Sequence, residues 1–275
     1  MTVPSLKLND GHSIPQLGLG TWPLDDAEVA DVIQSATQLG YRHIDTAAKY
    51  GNERGVGAGI AASGIPRSEL FVTTKLDGEF QGDDRAIAGL EASLDRLGLE
   101  HVDLLLIHWP LPQRDEFVST WHTFIELRDR GLARSIGVSN FTPAHLERLI
   151  AETGVTPAVN QVQLSPVITR SAWVAEHERL GIVTESWSPL GGEGAEVLAA
   201  PVLASIAADR GISTGQVVLR WHVQQGLVAI PKSANAGRLA QNLDVFDFEL
   251  TDAELASLAT LADPAAGVDP ERVGH

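Results

Sequence analysis

Eight short apolar runs recur along the chain, near Leu17, His43, Phe71, Asp103, Arg134, Ala158, Ile182 and Leu227, each followed by a stretch with helical periodicity. The intervals between them are 26, 28, 32, 31, 24, 24 and 45 residues. A parallel strand with its crossover helix needs about 30 residues, so each interval holds one strand–helix unit and the last has room for an additional helix. Runs such as LFVTT, VDLLLIH, ARSIGV and GIVTES are nearly continuous rather than alternating. That is the pattern of parallel strands covered on both faces.

Punctuation between the runs agrees with this reading. Ala27 to Leu39 carries an apolar stripe (Val29, Val32, Ile33, Ala36) and stops at Gly40, and Arg85 to Leu97 repeats the pattern before Gly98. Thr142 precedes Pro143 as an N-cap would, and Ser213 is placed to cap the helix through Val217 to His222. The length of 275 residues allows one domain or two, yet no Ser/Gly linker or break in composition divides the chain. The expectation is a single (β/α)8 TIM barrel over residues 1–275, with the segment LKLNDGHSI forming an N-terminal β-hairpin across its bottom. An open doubly wound sheet would announce a dinucleotide with G-x-G-x-x-G in its first turn, where this chain reads GLGTWPL. Gly55, Gly57 and Gly59 lie inside a helical stretch and point to close helix packing instead.

Composition excludes several functions. Asp and Glu total 36 against 20 Lys and Arg, a formal charge of −16 that repels nucleic acid and anionic lipid. There is no cysteine, which removes disulfides, thiolate nucleophiles and Cys-dependent metal sites. The N-terminus has no apolar leader and no run reaches the ~18 apolar residues of a membrane span, so a cytoplasmic location is expected. The nine histidines show no paired metal-ligand spacing; His12, His101, His122, His145, His177, His222 and His275 read as surface or packing residues.

Active sites of such barrels lie at the C-terminal ends of the strands. Reading those ends in order gives Asp45, Lys75, His108, Ser139 with Asn140, and Gln161, and Tyr50 follows Asp45 in the next loop. Singly, each has an ordinary structural explanation as a cap, a solvated terminus or a core side chain. Their convergence suits proton delivery to a carbonyl. A buried ammonium at Lys75 favours the phenolate of Tyr50, Asp45 holds Lys75 charged, and His108 can donate to the carbonyl oxygen. With neither thiol nor metal, the hydride must come from a bound cofactor. A second cluster, IPKSANAGRLAQNLDVF, brings Lys232, Ser233 and Arg238 to the top of the last unit, where barrels often bind phosphate. Trp187, in ESWSPLGG, is placed to stack on a flat ring.

These segments resemble the aldo-keto reductase family in order along nearly the whole chain: HIDTAAKYGNE (43–53), VTTKL (72–76), LLIHWP (105–110), SIGVSNF (135–141), NQVQLSP (160–166), SWSPLG (186–191) and IPKS (230–233) with Arg238 and Asn242. The chain looks most similar to the bacterial short-loop branch of 2,5-diketo-gluconate reductases. The resemblance implies reduction of aldehydes, ketones, α-dicarbonyls or keto-sugars with NADPH, through a tetrad of Asp45, Tyr50, Lys75 and His108 with Tyr50 as proton donor. It also implies that Ser139, Asn140 and Gln161 hold the nicotinamide carboxamide, that Trp187 stacks on the ring, and that Thr21, Ser188 and Leu190 take part in cofactor binding. Lys232, Ser233 and Arg238 would hold the 2′-phosphate, Gln241 and Asn242 would lie near the adenine, and Trp22 and Trp109 would wall the substrate pocket. A monomer is expected.

The chain departs from the family pattern in four places: Gln241 stands for a common Glu, Gln163 and Ser165 replace Glu and His, Asp77-Gly78 replaces an aromatic after Lys75-Leu76, and the tail after Pro264 is short and polar. These shape expectations about substrate preference and pocket closure. Two other readings of the residues stand at this point: Lys75 as a Schiff-base lysine of an aldolase-like barrel, and a nicotinamide-binding partner protein without turnover.

Overall fold

The computed structural model describes residues 3–192 and 196–273; His275 therefore lies outside the described residues. Its strands are β1 (Ser5–Lys7), β2 (Ser13–Pro15), β3 (Leu19–Gly20), β4 (His43–Asp45), β5 (Phe71–Leu76), β6 (Val102–Ile107), β7 (Ala133–Ser139), β8 (Val159–Gln163), β9 (Val183–Trp187) and β10 (Val228–Ala229). Its helices are α1 (Asp26–Leu39), α2 (Glu53–Ala62), α3 (Asp83–Leu97), α4 (Phe117–Asp129), α5 (Pro143–Thr153), α6 (Ser171–Leu180), α7 (Pro201–Arg210), α8 (Thr214–Gln224), α9 (Ala236–Leu243) and α10 (Asp252–Ala259). From β3 to β10 each strand pairs in parallel with the next in sequence. A parallel bridge between Leu17 and Ala229 joins the two ends, with Gly18 N–H donating to the Ala229 carbonyl at 2.9 Å and Ala229 N–H to the Gln16 carbonyl at 3.1 Å. This is a (β/α)8 barrel, and the long last interval holds both α7 and α8.

The hairpin β1–β2 forms where expected, but its turn uses three residues, Asn9 to Gly11, with Leu8 N–H donating to His12 and Gly11 at φ 95°. Leu8 and Ile14 are buried in one cluster with Phe71, Leu104, Leu106, Val159 and Val228, so the hairpin seals the barrel's lower end with apolar side chains. Strand alternation divides the remaining side chains between two environments. On β5, Phe71 joins that inner cluster while Val72 and Leu76 join the helix-side core; on β6, Leu104 and Leu106 are inner and Leu105 and Ile107 outer. Stepping up the strand two residues at a time from Phe71 through Thr73 reaches Lys75, so the same alternation carries the lysine into the barrel's interior near its upper end.

The capping signals are realised. Gly40 and Gly98 end α1 and α3 in left-handed conformations, and Thr142 and Ser213 form capping boxes with His145 and Gln216. Among the described residues, no helix is long and apolar enough to cross a membrane. The glycines of α2 serve helix packing: a Cβ on Gly55 would lie 2.2 Å from the Asp26 carbonyl oxygen, and one on Gly57 2.2 Å from that of Leu97. Alanine normally favours a helix over glycine by about 1 kcal/mol. Here the overlap with backbone reverses the sign, and Gly57→Ala is expected to destabilise the fold by about 2 kcal/mol, read as a lower denaturant midpoint in urea unfolding.

Candidate active site

Three elements bring the first group together. Asp45 ends β4, Lys75 lies near the end of β5, and Tyr50 sits in the one-turn 3-10 segment Ala48–Tyr50, closed by Gly51 at φ 70°. Asp45 and Lys75 are each only 1% exposed. The Lys75 ammonium donates to Asp45 Oδ1 at 2.6 Å, to the Thr46 carbonyl at 3.0 Å and to the Tyr50 hydroxyl at 3.2 Å. An ammonium has three N–H groups, and here each has an acceptor. The half-buried His108 ring packs edge-on against Tyr50 at 5.8 Å between centroids, and Trp22, 58% exposed, lies 5.4 Å from Tyr50. Trp109 is buried, stacked on His108, with its carbonyl accepting from Gln81.

Burial favours a neutral Lys75, but Asp45 and Tyr50 outweigh it and hold the ammonium above its ordinary range. A nucleophilic amine must be neutral, so this pairing disfavours the Schiff-base reading. For Tyr50 the structure corrects the simple expectation of a more acidic phenol. Burial is the largest influence and raises its pKa, with Asp45 and Glu185 adding to it, while Lys75 pulls the other way. Lys75 therefore limits the rise rather than producing a net fall.

The second group lies beside the first. Ser139 donates to the Gln161 carbonyl at 2.9 Å; the Asn140 amide donates to Ser139 at 3.0 Å and to the His108 carbonyl at 3.2 Å; and the Trp187 indole N–H donates to Asn140 Oδ1 at 2.8 Å. Asn140 and Ser188 adopt positive φ, 63° and 49°. Thr21 is fully buried and spends its hydroxyl on the Asp45 carbonyl. Leu190 is partly buried against the core. At the far end, Lys232 and Arg238 are exposed around the start of α9, whose N-terminus is capped by Asn235, and Ser233 is buried beside them, accepting from the Asn235 N–H. Neither cation makes an ion pair among the described residues. Two unpaired cations at a helix N-terminus fit a phosphate group. Gln241 is exposed, whereas Asn242 is buried on the same helix as Leu239, whose carbonyl accepts from the Tyr41 hydroxyl at 3.1 Å.

The departures also find structural partners. Gln163 Oε1 accepts from the Val268 N–H at 2.8 Å and Arg170 donates to the Val268 carbonyl at 2.6 Å, so both ends of that residue pin the tail to the loop after β8. Ser165 closes its own loop by accepting from Ile168. Asp77 pairs with Lys49 at 3.6 Å. Sequence reasoning gave no role to three buried residues. Asn52 ties the loops after β3 and β4 together, donating to the Thr21 and Leu24 carbonyls and accepting from Thr46. Glu185 and His43, each fully buried, face one another across the barrel at 3.6 Å. A charged residue inside the run GIVTES was the available signal for Glu185.

A closed (β/α)8 barrel with a lysine-backed tyrosine and two unpaired cations at its upper end fits a carbonyl oxidoreductase. Comparison with known proteins is more specific. The model of the aldo/keto reductase family matches residues 16–263, and the chain belongs to that family. It is 51% identical over 270 residues to an aldo-keto reductase of Mycolicibacterium smegmatis, covering 97% of each chain. It is 46% identical to the methylglyoxal reductase DkgA of Escherichia coli over 275 residues, covering 98% of each. Among solved structures, a mutant of Gox0644 in complex with NADPH superposes with a TM-score of 0.95 at 41% identity, covering 100% of both chains.

Removing one partner of the buried pair leaves a charge without compensation. Lys75→Met is expected to cost about 3 kcal/mol of stability in chemical denaturation, with Asp45→Asn added to it restoring part of the loss in a double-mutant cycle.

Proposed function

We propose that this chain is a single-domain, monomeric, cytoplasmic enzyme that reduces aldehydes, ketones or α-dicarbonyls, keto-sugars among them, to alcohols with NADPH, using Tyr50 as the proton donor. The observation that carries this reading is the Lys75 ammonium, held by Asp45 at 2.6 Å and donating to the Tyr50 hydroxyl at 3.2 Å. NADPH, when bound, supplies the hydride. Tyr50 gives its proton to the oxygen of the substrate, and the Lys75 charge stabilises the phenolate left behind. His108, packed against Tyr50, is placed to donate to the same oxygen. Trp22 and Trp109 would flank the carbonyl. The α-dicarbonyl class draws support from the likeness to the methylglyoxal reductase.

For the cofactor, Ser139, Asn140 and Gln161 would hold the carboxamide and Trp187 the ring face. Thr21, Ser188 and Leu190 would line the path towards the phosphates. Lys232, Ser233 and Arg238 would take the 2′-phosphate, with Gln241 and Asn242 towards the adenine. Gln161 offers a particular fit, since both hydrogens of its amide nitrogen are already donated to carboxyl groups and its Oε1 is the atom left for a ligand N–H.

Two measurements test the reading. Tyr50→Phe is expected to lower kcat for methylglyoxal reduction about a thousandfold while NADPH affinity, followed by tryptophan fluorescence, changes less than about twofold. Full turnover in that variant would remove Tyr50 as the proton donor. Arg238→Ala is expected to weaken NADPH binding by at least about tenfold and leave NADH binding nearly unchanged, because a charge-assisted bond to phosphate contributes about 1.5–3 kcal/mol. Equal losses for the two cofactors would show that Arg238 does not meet the 2′-phosphate.

A further inference from the structure

The polar groups inside the barrel continue below the tetrad. Gln161 Nε2 donates to Asp45 Oδ2 at 2.8 Å and to Glu185 Oε2 at 2.7 Å. Asp45 in turn receives the Lys75 ammonium through its other oxygen, and Lys75 reaches Tyr50. Five side chains from five parts of the fold thus form one chain: Glu185 on β9, Gln161 on β8, Asp45 on β4, Lys75 on β5 and Tyr50 in the loop after β4. Glu185 is fully buried, and its register partner on β10 is the apolar Val228. The titratable groups that face it are His43 and Asp45 from β4 and Lys75 from β5, with Tyr50 and its neighbour His108 above them.

An amide can be turned end for end, and an isolated one would gain little from either choice. Here the choice is forced. Turning Gln161 over would aim its carbonyl oxygen at the Asp45 carboxylate and leave two carboxyl groups without their donor. Glu185 is the only carboxyl besides Asp45 to receive that nitrogen among the described residues.

We propose that Glu185 is a positioning residue for carbonyl reduction: by accepting from Gln161 it fixes the amide that orients Asp45, and through Asp45 the ammonium that supports Tyr50. The proposal rests on Tyr50 being the proton donor. It also gives the site a dependence on pH. Burial, and then the charge of Asp45, push Glu185 up to about 8, while Gln161 and Lys75 act in the opposite direction. His43 cannot neutralise it by taking a proton, because burial first, with Lys75 adding to it against a bond to the Pro15 backbone, holds its pKa at about 3. Glu185 therefore keeps its own proton at neutral pH and becomes a second carboxylate as the pH rises. That new negative charge raises the proton affinity of Tyr50, as the direction of its influence on the phenol requires, and a tyrosine that holds its proton more tightly delivers it more slowly.

The experiment uses the full chain with NADPH and methylglyoxal, following hydride transfer in single turnovers between about pH 6.5 and about pH 9.5. Wild type is expected to slow about threefold through an inflection near pH 8, towards which burial and Asp45 push Glu185. Glu185→Gln keeps the shape and the acceptor but cannot ionise, and the inflection is expected to disappear. Glu185→Leu removes the acceptor, and kcat is expected to fall about tenfold across the whole range with KM for the carbonyl changed less than about twofold. Far-UV circular dichroism verifies folding, and if the leucine variant does not fold, the glutamine variant decides alone. An inflection that persists unchanged in Glu185→Gln overturns the proposal, as does wild-type kcat in Glu185→Leu. Tyr50→Phe run alongside separates the two levels: turnover retained there refutes the proton-donor reading itself, whereas loss there with an unmoved Glu185→Gln profile refutes only the role of Glu185.

Discussion

A lysine ammonium almost wholly removed from water is the constraint around which the upper half of this barrel is organised. Desolvating such an ion costs several kcal/mol even after relaxation, so it persists only where geometry supplies compensation for every N–H. Asp45, the Thr46 carbonyl and Tyr50 provide it, at 2.6, 3.0 and 3.2 Å. Each comes from β4 or the loop that follows, while the lysine comes from β5. The register between those two strands therefore sets the stability of the ion pair and the placement of the phenol at once.

The rest of the architecture serves that register. The hairpin and the inner cluster of Leu8, Ile14, Phe71, Leu104, Leu106 and Val228 fill the lower barrel with apolar side chains, which confines the polar groups to the middle and upper parts. Asn52 crosslinks the loops after β3 and β4, so Tyr50 is carried on a segment tied to the barrel rather than on a free loop. The glycines of α2 let that helix settle against α1 and the end of α3, fixing the next unit beneath the same loop. Rigid support of this kind holds a phenol and an ammonium at hydrogen-bond distance.

Charge is distributed with the same economy. The chain is strongly acidic overall, yet Lys232 and Arg238 stand without carboxylate partners among the described residues at the start of α9. Most other arginines near the surface are paired, as Arg210 is with Glu254 and Arg148 with Asp115 and Glu152. An acidic field with a small cationic gap directs a phosphorylated ligand to one place more sharply than a uniformly basic surface would.

Much of this was legible without coordinates, because parallel strands and their crossover helices repeat at a period that local residues enforce. Apolar runs, capping residues and C-terminal glycines gave the order and type of the eight units, and strand-end positions singled out Asp45, Lys75 and His108. What sequence could not supply were quantities that depend on distances between strands and on removal from water. The union of Gln161 with both Asp45 and Glu185 joins residues 116 and 24 positions apart, and no local pattern encodes that meeting. The proton affinity of Tyr50 is hidden from the sequence for the same reason: a nearby lysine can be read from strand order, but the desolvation that outweighs it exists only once the barrel has closed. The sequence by itself determined which chemical groups reach the upper end of the barrel. Tertiary structure decided which of them touch, which are kept from water, and hence in which protonation state each one waits.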